Sequence, residues 1–413
     1  MISEPTGTTI EATFRIVTPM FCGGASPEIP ELRLPSVKGA LRYWWRTLHP
    51  GGTGEVAVLR DREANLFGSS DRRFGRSKVR MSLIRQDLQP IVKKDEILAE
   101  GRLPGAHYLG YGLMAAFASR KAGTQAGQLA RGMIPGGEFT LECRIARGVA
   151  RQDVDDVRRA LALLGTVGGL GSRSRKGFGS LSLSSLVLNG THETIGDTIE
   201  ERLRSLIRNL PSGLPDWTAW TANSRVVVTT HPDATDPPSV LDELGKEQVY
   251  FRSWGHKGRV LSQDAERNFR HDHDLMKSGG RVNDFPHRVA FGLPHNYGPY
   301  RNQGVGPNAS GLDRRASPLF LHVHQPDAAV APVGVAAFLP ALFLPDDGML
   351  SAFGQTAKVL PDDETFWFPI HGWLDRLCAI HSPPPHRPGY DRFSNAEWWR
   401  RKTTLTGQEV SLV

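Results

Sequence analysis

The sequence predicts an α+β fold built from two β-α-β-β-α-β units with long insertions. Three observations predict it: segments with apolar residues at every second position, amphipathic helical stripes set between them, and a Pro/Gly-rich break near the middle of the 413 residues. A chain of that length holds two domains by default and can bury a large core.

Taking the elements in order, Ile10, Ala12, Phe14 and Ile16 alternate with Glu11, Thr13 and Arg15, the period of a half-buried strand. A Pro- and Gly-containing loop from Thr18 to Pro35 follows. Ser36 is placed to cap a helix whose Val37, Leu41, Trp44 and Leu48 recur at helical spacing. Val79, Met81 and Leu83 alternate with polar neighbours, as do Phe139, Leu141, Cys143 and Ile145, giving two more strands. Asp153 opens a helix with Val154, Val157, Leu161 and Leu164 on one stripe. Leu181 and Leu183 then mark a last strand after a glycine-rich loop. That order is the split pattern of ferredoxin-like and RNA-recognition folds, which pack both helices on one sheet face and leave the other for ligand. The insert from Gln86 to Gly137 is an elaboration the pattern does not place.

Pro211-Ser212-Gly213-Leu214-Pro215 reads as a linker, which divides the chain into residues 1–210 and 211–413. In the second part, Arg225 to Thr230 is a β-branched strand, Leu319, Leu321 and Val323 alternate with Phe320, His322 and His324, and Ile370, Trp373, Leu374 and Leu377 form a helical stripe. A second ferredoxin-like unit fits these elements, with Ser262 to Asn283 read as an exposed polar loop and the proline-rich Ser382 to Pro388 as a surface segment.

Composition narrows the function. No stretch approaches the roughly 18 apolar residues of a membrane span. The N-terminus lacks the pattern of a secretory signal. The widely spaced Cys22, Cys143 and Cys378 fit neither a disulfide scaffold nor a cysteine-only zinc site, and the expectation is a soluble cytoplasmic protein. Fifty basic residues against 43 acidic ones give a net charge of +7, and 39 of the fifty are arginine. Arginine's planar fork suits phosphate and base recognition, although a GC-rich genome also encodes arginine freely.

Two segments concentrate that charge. Gly169-Leu170-Gly171-Ser172-Arg173-Ser174-Arg175-Lys176-Gly177-Phe178-Gly179-Ser180-Leu181 sets paired glycines around a basic centre. Gly169, Gly171, Gly177 and Gly179 allow close backbone approach, so amides can reach phosphate oxygens, with charge from Arg173, Arg175 and Lys176. No Gly-Lys-Ser/Thr closes it, so it is not a Walker A loop, and it follows a helix and enters a strand, the reverse of a dinucleotide fingerprint. A flexible turn with solvated charges is the alternative. On the first helix, Lys38, Arg42, Trp45 and Arg46 share one face, where an exposed Trp45 would stack a base. The alternative there is an ordinary amphipathic helix with Trp45 in the core.

The run from Gly169 to Leu181 resembles the signature loop of RAMP proteins from CRISPR systems. Ile16 to Gly24, Pro35 to Arg46 and Glu63 to Gly68, with Phe291-Gly292-Leu293-Pro294 and Arg314 to Leu319 further on, resemble one branch, the first-named RAMP subunit of the Cmr, or type III-B, effector complex. The resemblance implies two ferredoxin-like modules and a non-catalytic, RNA-binding role in antiviral defence. It implies as partners the 3′ part of the guide RNA, single-stranded target RNA and the other Cmr RAMP subunits, with no cofactor and no membrane. Carried over by position, the RNA-binding residues are Lys38, Arg42, Trp45, Arg46, Gly169, Gly171, Arg173, Arg175, Lys176, Gly177 and Gly179.

A rival from another class stays open. Some RAMP proteins cut guide precursors without metal, using histidine as acid or base, and His271, His273, His322 and His324 are candidates for that chemistry. Asp272 and Asp274 beside the first pair could build a metal site, but no third and fourth ligand is identifiable. A protein-docking role, with Trp398 and Trp399 as anchors, is compatible with RNA binding.

Overall fold

The computed structural model describes residues 7–26, 29–51, 55–88, 103–113, 129, 131–208, 210–278, 285–295, 304–308, 311–345, 348–352, 355–358, 364–380 and 403–412. The first unit runs β1 Thr8–Ile16, α1 Leu34–Thr47, α2 Val56–Phe67, β2 Val79–Leu88, β3 Gly137–Ile145, α3 Arg151–Leu164 and β4 Leu181–Leu188. Its antiparallel sheet has the order β2-β3-β1-β4, extended at one edge by the two-residue strand Thr191–His192. Alternation along β1 has the expected result: Ile10, Ala12, Phe14 and Ile16 are at most 3% exposed. Phe14 lies opposite Phe139 in the register, their rings 5.3 Å apart. Val37, Leu41 and Trp44 of α1 and Val157, Leu161 and Leu164 of α3 share this core. The first helix begins earlier than Ser36. Its N-cap is Arg33, no side chain caps it, and Pro35 sits in the first turn, where a missing N–H costs nothing. Among elements the periodicity did not predict, α2 matters most, because it lies against α1.

The second unit repeats the plan with β5 Arg225–Thr230, α4 Pro237–Arg252, β6 Leu319–His324, β7 Val333–Phe338, α5 Phe368–Leu377 and β8 Thr406–Glu409. Its sheet order, β6-β7-β5-β8, is the order of the first. The chain is thus an α+β protein with two ferredoxin-like units. Asp236 caps α4 by accepting from the Ser239 amide at 2.9 Å. The stretch from Ser262 to Asn283, of which 279–283 lie outside the described residues, is not simply a loop over its described part: Gln263–Asp264 pairs with Arg259–Val260, and Arg270–Ser278 is a helix.

The expectation of a free sheet face fails for the second unit. One face, with Val227, Leu319, Leu321, Ala336 and Phe338, shares a core with Leu241, Leu244 and Trp373 of α4 and α5. The other face, with Val226, Phe320, Val335 and Ala337, is buried in the first unit's core, where Phe320 meets Trp44 at 5.5 Å between ring centroids. The first sheet keeps a more open face, but it shows Glu11, Arg15, Arg80 and Arg144 and no aromatic ring from these strands. The long insert also crosses between units. Its helix Pro104–Leu109 donates the Gly105 and Ala106 amides to Asp242 of α4 at 2.7 and 3.0 Å. Residues 89–102, 114–128, 130 and 381–402, including Trp398 and Trp399, lie outside the described residues. Among the described residues no helix is long and apolar enough to cross a membrane.

Candidate nucleic-acid interface

The basic face of α1 is largely occupied by α2. Arg42 Nε and Arg46 Nη1 both reach Glu63 Oε1, at 2.5 and 2.7 Å, and Glu63 is 5% exposed. Lys38 Nζ donates to the Phe67 carbonyl at 2.8 Å and to Ser77 Oγ at 3.2 Å. Burial, reinforced by Arg42, holds its pKa below the usual lysine range. Trp45 corrects the sequence reading. It is fully buried between Phe67, His49 and the Arg62 guanidinium, so it offers no base a stacking surface.

The glycine-rich loop is also built differently from a phosphate cradle. Its amides mostly serve the protein: Leu170 donates to Gly179, Ser172 to Phe21, Lys176 to Arg173, and Gly179 to Pro19, at 2.7–2.9 Å. A Cβ on Gly171 would stand 2.6 Å from the Phe21 carbonyl oxygen, and one on Gly177 2.5 Å from Leu241. With φ of +85° and +83°, both positions favour glycine by backbone conformation, and at Gly171 the fixed Phe21 carbonyl also leaves no room for a Cβ. The glycines therefore let the loop thread between the strand around Phe21 and the second unit. Its basic centre pairs with β6, where the Leu321 amide donates to the Arg175 carbonyl at 3.0 Å.

That threading delivers the loop's cations to a cleft of about 680 Å³ between the units. Arg173, Arg175 and Lys176 form one side, Arg252 of α4 another, and Arg314 and Arg315 a third, with Tyr108, Tyr111 and the Phe291–Pro294 turn completing the lining. Among the described residues no acidic side chain lines it. Several of these cations are held by neutral groups. Arg175 donates to the Ser317 carbonyl at 2.9 Å and lies 4.9 Å from the ring centroids of both Tyr43 and Phe320. Arg252 donates to the Tyr108 hydroxyl at 3.2 Å, and Arg315 to the carbonyls of Phe343 and Leu342 at 2.7 and 3.0 Å. Lys176 Nζ donates to Gln248 Oε1 at 3.1 Å, and its pKa is pushed down to about 7 by burial, then by Arg252 and Arg173. Carbonyls and rings orient these cations without cancelling them, which leaves a concentrated positive potential for an anion.

The histidine pairs are placed elsewhere. His322 and His324 are 1% and 3% exposed, wedged between β6 and the first unit. Nδ1 of His322 donates to the Gly168 carbonyl at 2.9 Å, and His324 meets Ser182 Oγ at 3.2 Å. Burial drives His322 down to about 3 and His324 well below its ordinary value, so both are neutral and shielded from any phosphodiester. His273 stacks on Trp254, rings 3.9 Å apart. His271, Asp272 and His287 bring three donor atoms within 4.8 Å of one another, a grouping the sequence did not reveal because His287 comes from a separate turn. Asp272, fully buried, accepts from the His287 and Arg288 amides and from Arg288 Nε at 2.7, 2.9 and 3.0 Å. Burial alone would raise its pKa, but the His271 hydrogen bond and the Arg288 and His287 charges bring it to about 2. This carboxylate anchors a helical turn.

Comparison with known proteins agrees with the fold. A curated relative, the CRISPR system Cmr subunit Cmr1-2 of Pyrococcus furiosus, is 35% identical over 86 residues, 20% of this chain and 43% of that protein. The match thus spans less than half of the relative's length. The crystal structure of Cmr1 from Pyrococcus furiosus in its apo form superposes with a TM-score of 0.50 at 19% identity, covering 87% of this chain and 96% of that one. Residues 13–182, which contain β2, β3, both helices of the first unit's core and the glycine-rich loop, match the profile of the RAMP superfamily. That match, which takes in the same loop that joins the two units, makes this part of the chain similar to the RAMP superfamily.

Proposed function

We propose that this chain is a non-catalytic RNA-binding subunit of a type III-B (Cmr) CRISPR ribonucleoprotein, holding the 3′ part of the guide RNA and assisting capture of target RNA. The observation that carries the reading is the cleft, where, among the described residues, six lysine and arginine side chains converge without a carboxylate. A single-stranded RNA backbone supplies the matching charge, and guide–target pairing supplies sequence, so the protein needs only backbone and shape recognition. Arg173, Arg175 and Lys176 belong to this site, joined by Arg252, Arg314 and Arg315. Lys38, Arg42 and Arg46 take a secondary part, since Glu63 and the end of α2 already engage them. Gly169, Gly171, Gly177 and Gly179 act by shaping the loop. The proposed division at residues 210 and 211 assigns the cleft to both units, and the proposed location is cytoplasmic.

The test is RNA binding by fluorescence anisotropy across a salt series, with single strands of several unrelated sequences. Arg314→Ala should weaken all of them alike and flatten the log–log salt slope by about 0.7, the loss of one phosphate contact. Unchanged affinity and slope in Arg314→Ala, Arg173→Ala and Arg252→Ala would remove the cleft from the site. Metal-free cleavage of repeat-containing RNA by the purified chain would overturn the non-catalytic part.

A further inference from the structure

Resting on the RNA reading of the cleft, we infer that Tyr111 is a stacking platform for one unpaired base of the bound strand. Trp45, the aromatic that the sequence singled out, is buried in the core. Tyr111 is 71% exposed and lines the cleft beside Arg173 and Arg175. The Arg173 guanidinium donates to the Tyr111 carbonyl, tying the platform's backbone to the glycine-rich loop. Tyr108, the other tyrosine among the described lining residues, is half-buried, and its hydroxyl accepts from Arg252. Among the described tyrosines of the cleft, Tyr111 is thus the open ring beside uncancelled cations. A phosphate on Arg173 or Arg314 and its base on Tyr111 use both halves of a nucleotide. Every base has a π face, so the contact is sequence-tolerant. It does require an unpaired base, because a base inside a duplex already stacks on its neighbours.

The experiment places 2-aminopurine in a short single-stranded RNA and measures affinity, salt slope and fluorescence quenching with the full chain. Tyr111→Ala should weaken binding roughly ten-fold or more, abolish the quenching and leave the salt slope unchanged, because no charge is lost. Tyr111→Phe should stay within about two-fold of the native chain, and the affinity for duplex RNA should not respond to either substitution. The side chain is exposed, so melting temperatures should match, which separates stacking from folding. Native affinity and quenching in Tyr111→Ala, with Arg314→Ala still weakened, overturns the platform and leaves the RNA reading standing. Native behaviour in Tyr111→Ala, Arg314→Ala, Arg173→Ala and Arg252→Ala overturns both. Equal losses in Tyr111→Ala and Tyr111→Phe overturn the role of the ring. In the assembled particle, photocrosslinks from 4-thiouridine in the guide or in the target identify the strand that supplies the base. Crosslinks to Tyr111 from neither strand count against the platform.

Discussion

Arg42 and Arg314 carry the same charge and should answer differently to alanine. Removing Arg42 deprives the buried Glu63 carboxylate of one of its two guanidinium partners, so Arg42→Ala should lower stability by about 1 kcal/mol and barely change the salt dependence of RNA binding. Arg314 is exposed, so its loss should leave stability within about 0.5 kcal/mol while flattening the salt slope. Parallel denaturant melts and binding titrations separate the two. Lys176 adds a pH dependence. With a pKa near 7 in the free chain, it is charged below that pH and neutral above, and phosphate favours the charged form. RNA affinity should therefore decline as pH rises from 6 to 8, with proton uptake on binding, and Lys176→Met should remove that part of the decline. Calorimetry in buffers of different ionisation enthalpy measures the uptake. At this scale the sequence showed which loop was basic. It could not show which cations were cancelled, because Glu63 reaches Arg42 and Arg46 from a helix that the periodicity did not predict.

Between elements, what matters is how closely backbones approach. At Gly179 a Cβ would meet the Leu170 carbonyl oxygen, and φ is +61°. Gly179→Ala should cost about 1–3 kcal/mol in a thermal melt. Gly39, exposed on α1 with open space around its Cβ position, is the converse. Gly39→Ala should raise stability by about 0.5–1 kcal/mol, since alanine loses less entropy in a helix. The core strands were legible because period-two alternation reports burial on one face, as for Phe14 in β1 and Leu321 in β6. The start of α1 was not, because Pro35 substitutes for a capping side chain. Trp45 was misread because its neighbour Phe67 lies on α2. The loop's glycines were found, but their purpose was hidden, since Phe21 and Leu241, which they accommodate, are distant in sequence. The cleft was illegible as a whole because Tyr111, Lys176, Arg252 and Arg315 come from four separate segments.

The whole molecule depends on the contact between the units, and acid should loosen it. His322 and His324 are held far below the 6.5 of a free histidine, so the unfolded chain binds protons first as pH falls. Their contribution is fully present above about pH 6.5 and is lost as pH falls towards 3. The melting temperature should drop between pH 7 and 5, and His322→Gln with His324→Gln should shrink that drop in calorimetry. The same contact has another consequence. β6 is a strongly apolar strand at the edge of its sheet, the kind of edge that recruits a second copy of itself. Its outward amides are satisfied, Leu319 by Ser317 Oγ at 3.2 Å, Leu321 by the Arg175 carbonyl and Val323 by Ser180 Oγ, as is Gln325 just beyond the strand by Ser182 Oγ, the last three at 2.9–3.0 Å. The seam between the units is thus also a seal against fibre-like growth. Replacing Ser180 and Ser182 together by alanine should produce concentration-dependent light scattering on mild warming, whereas Ser184→Ala, on the exposed side of β4, should stay clear.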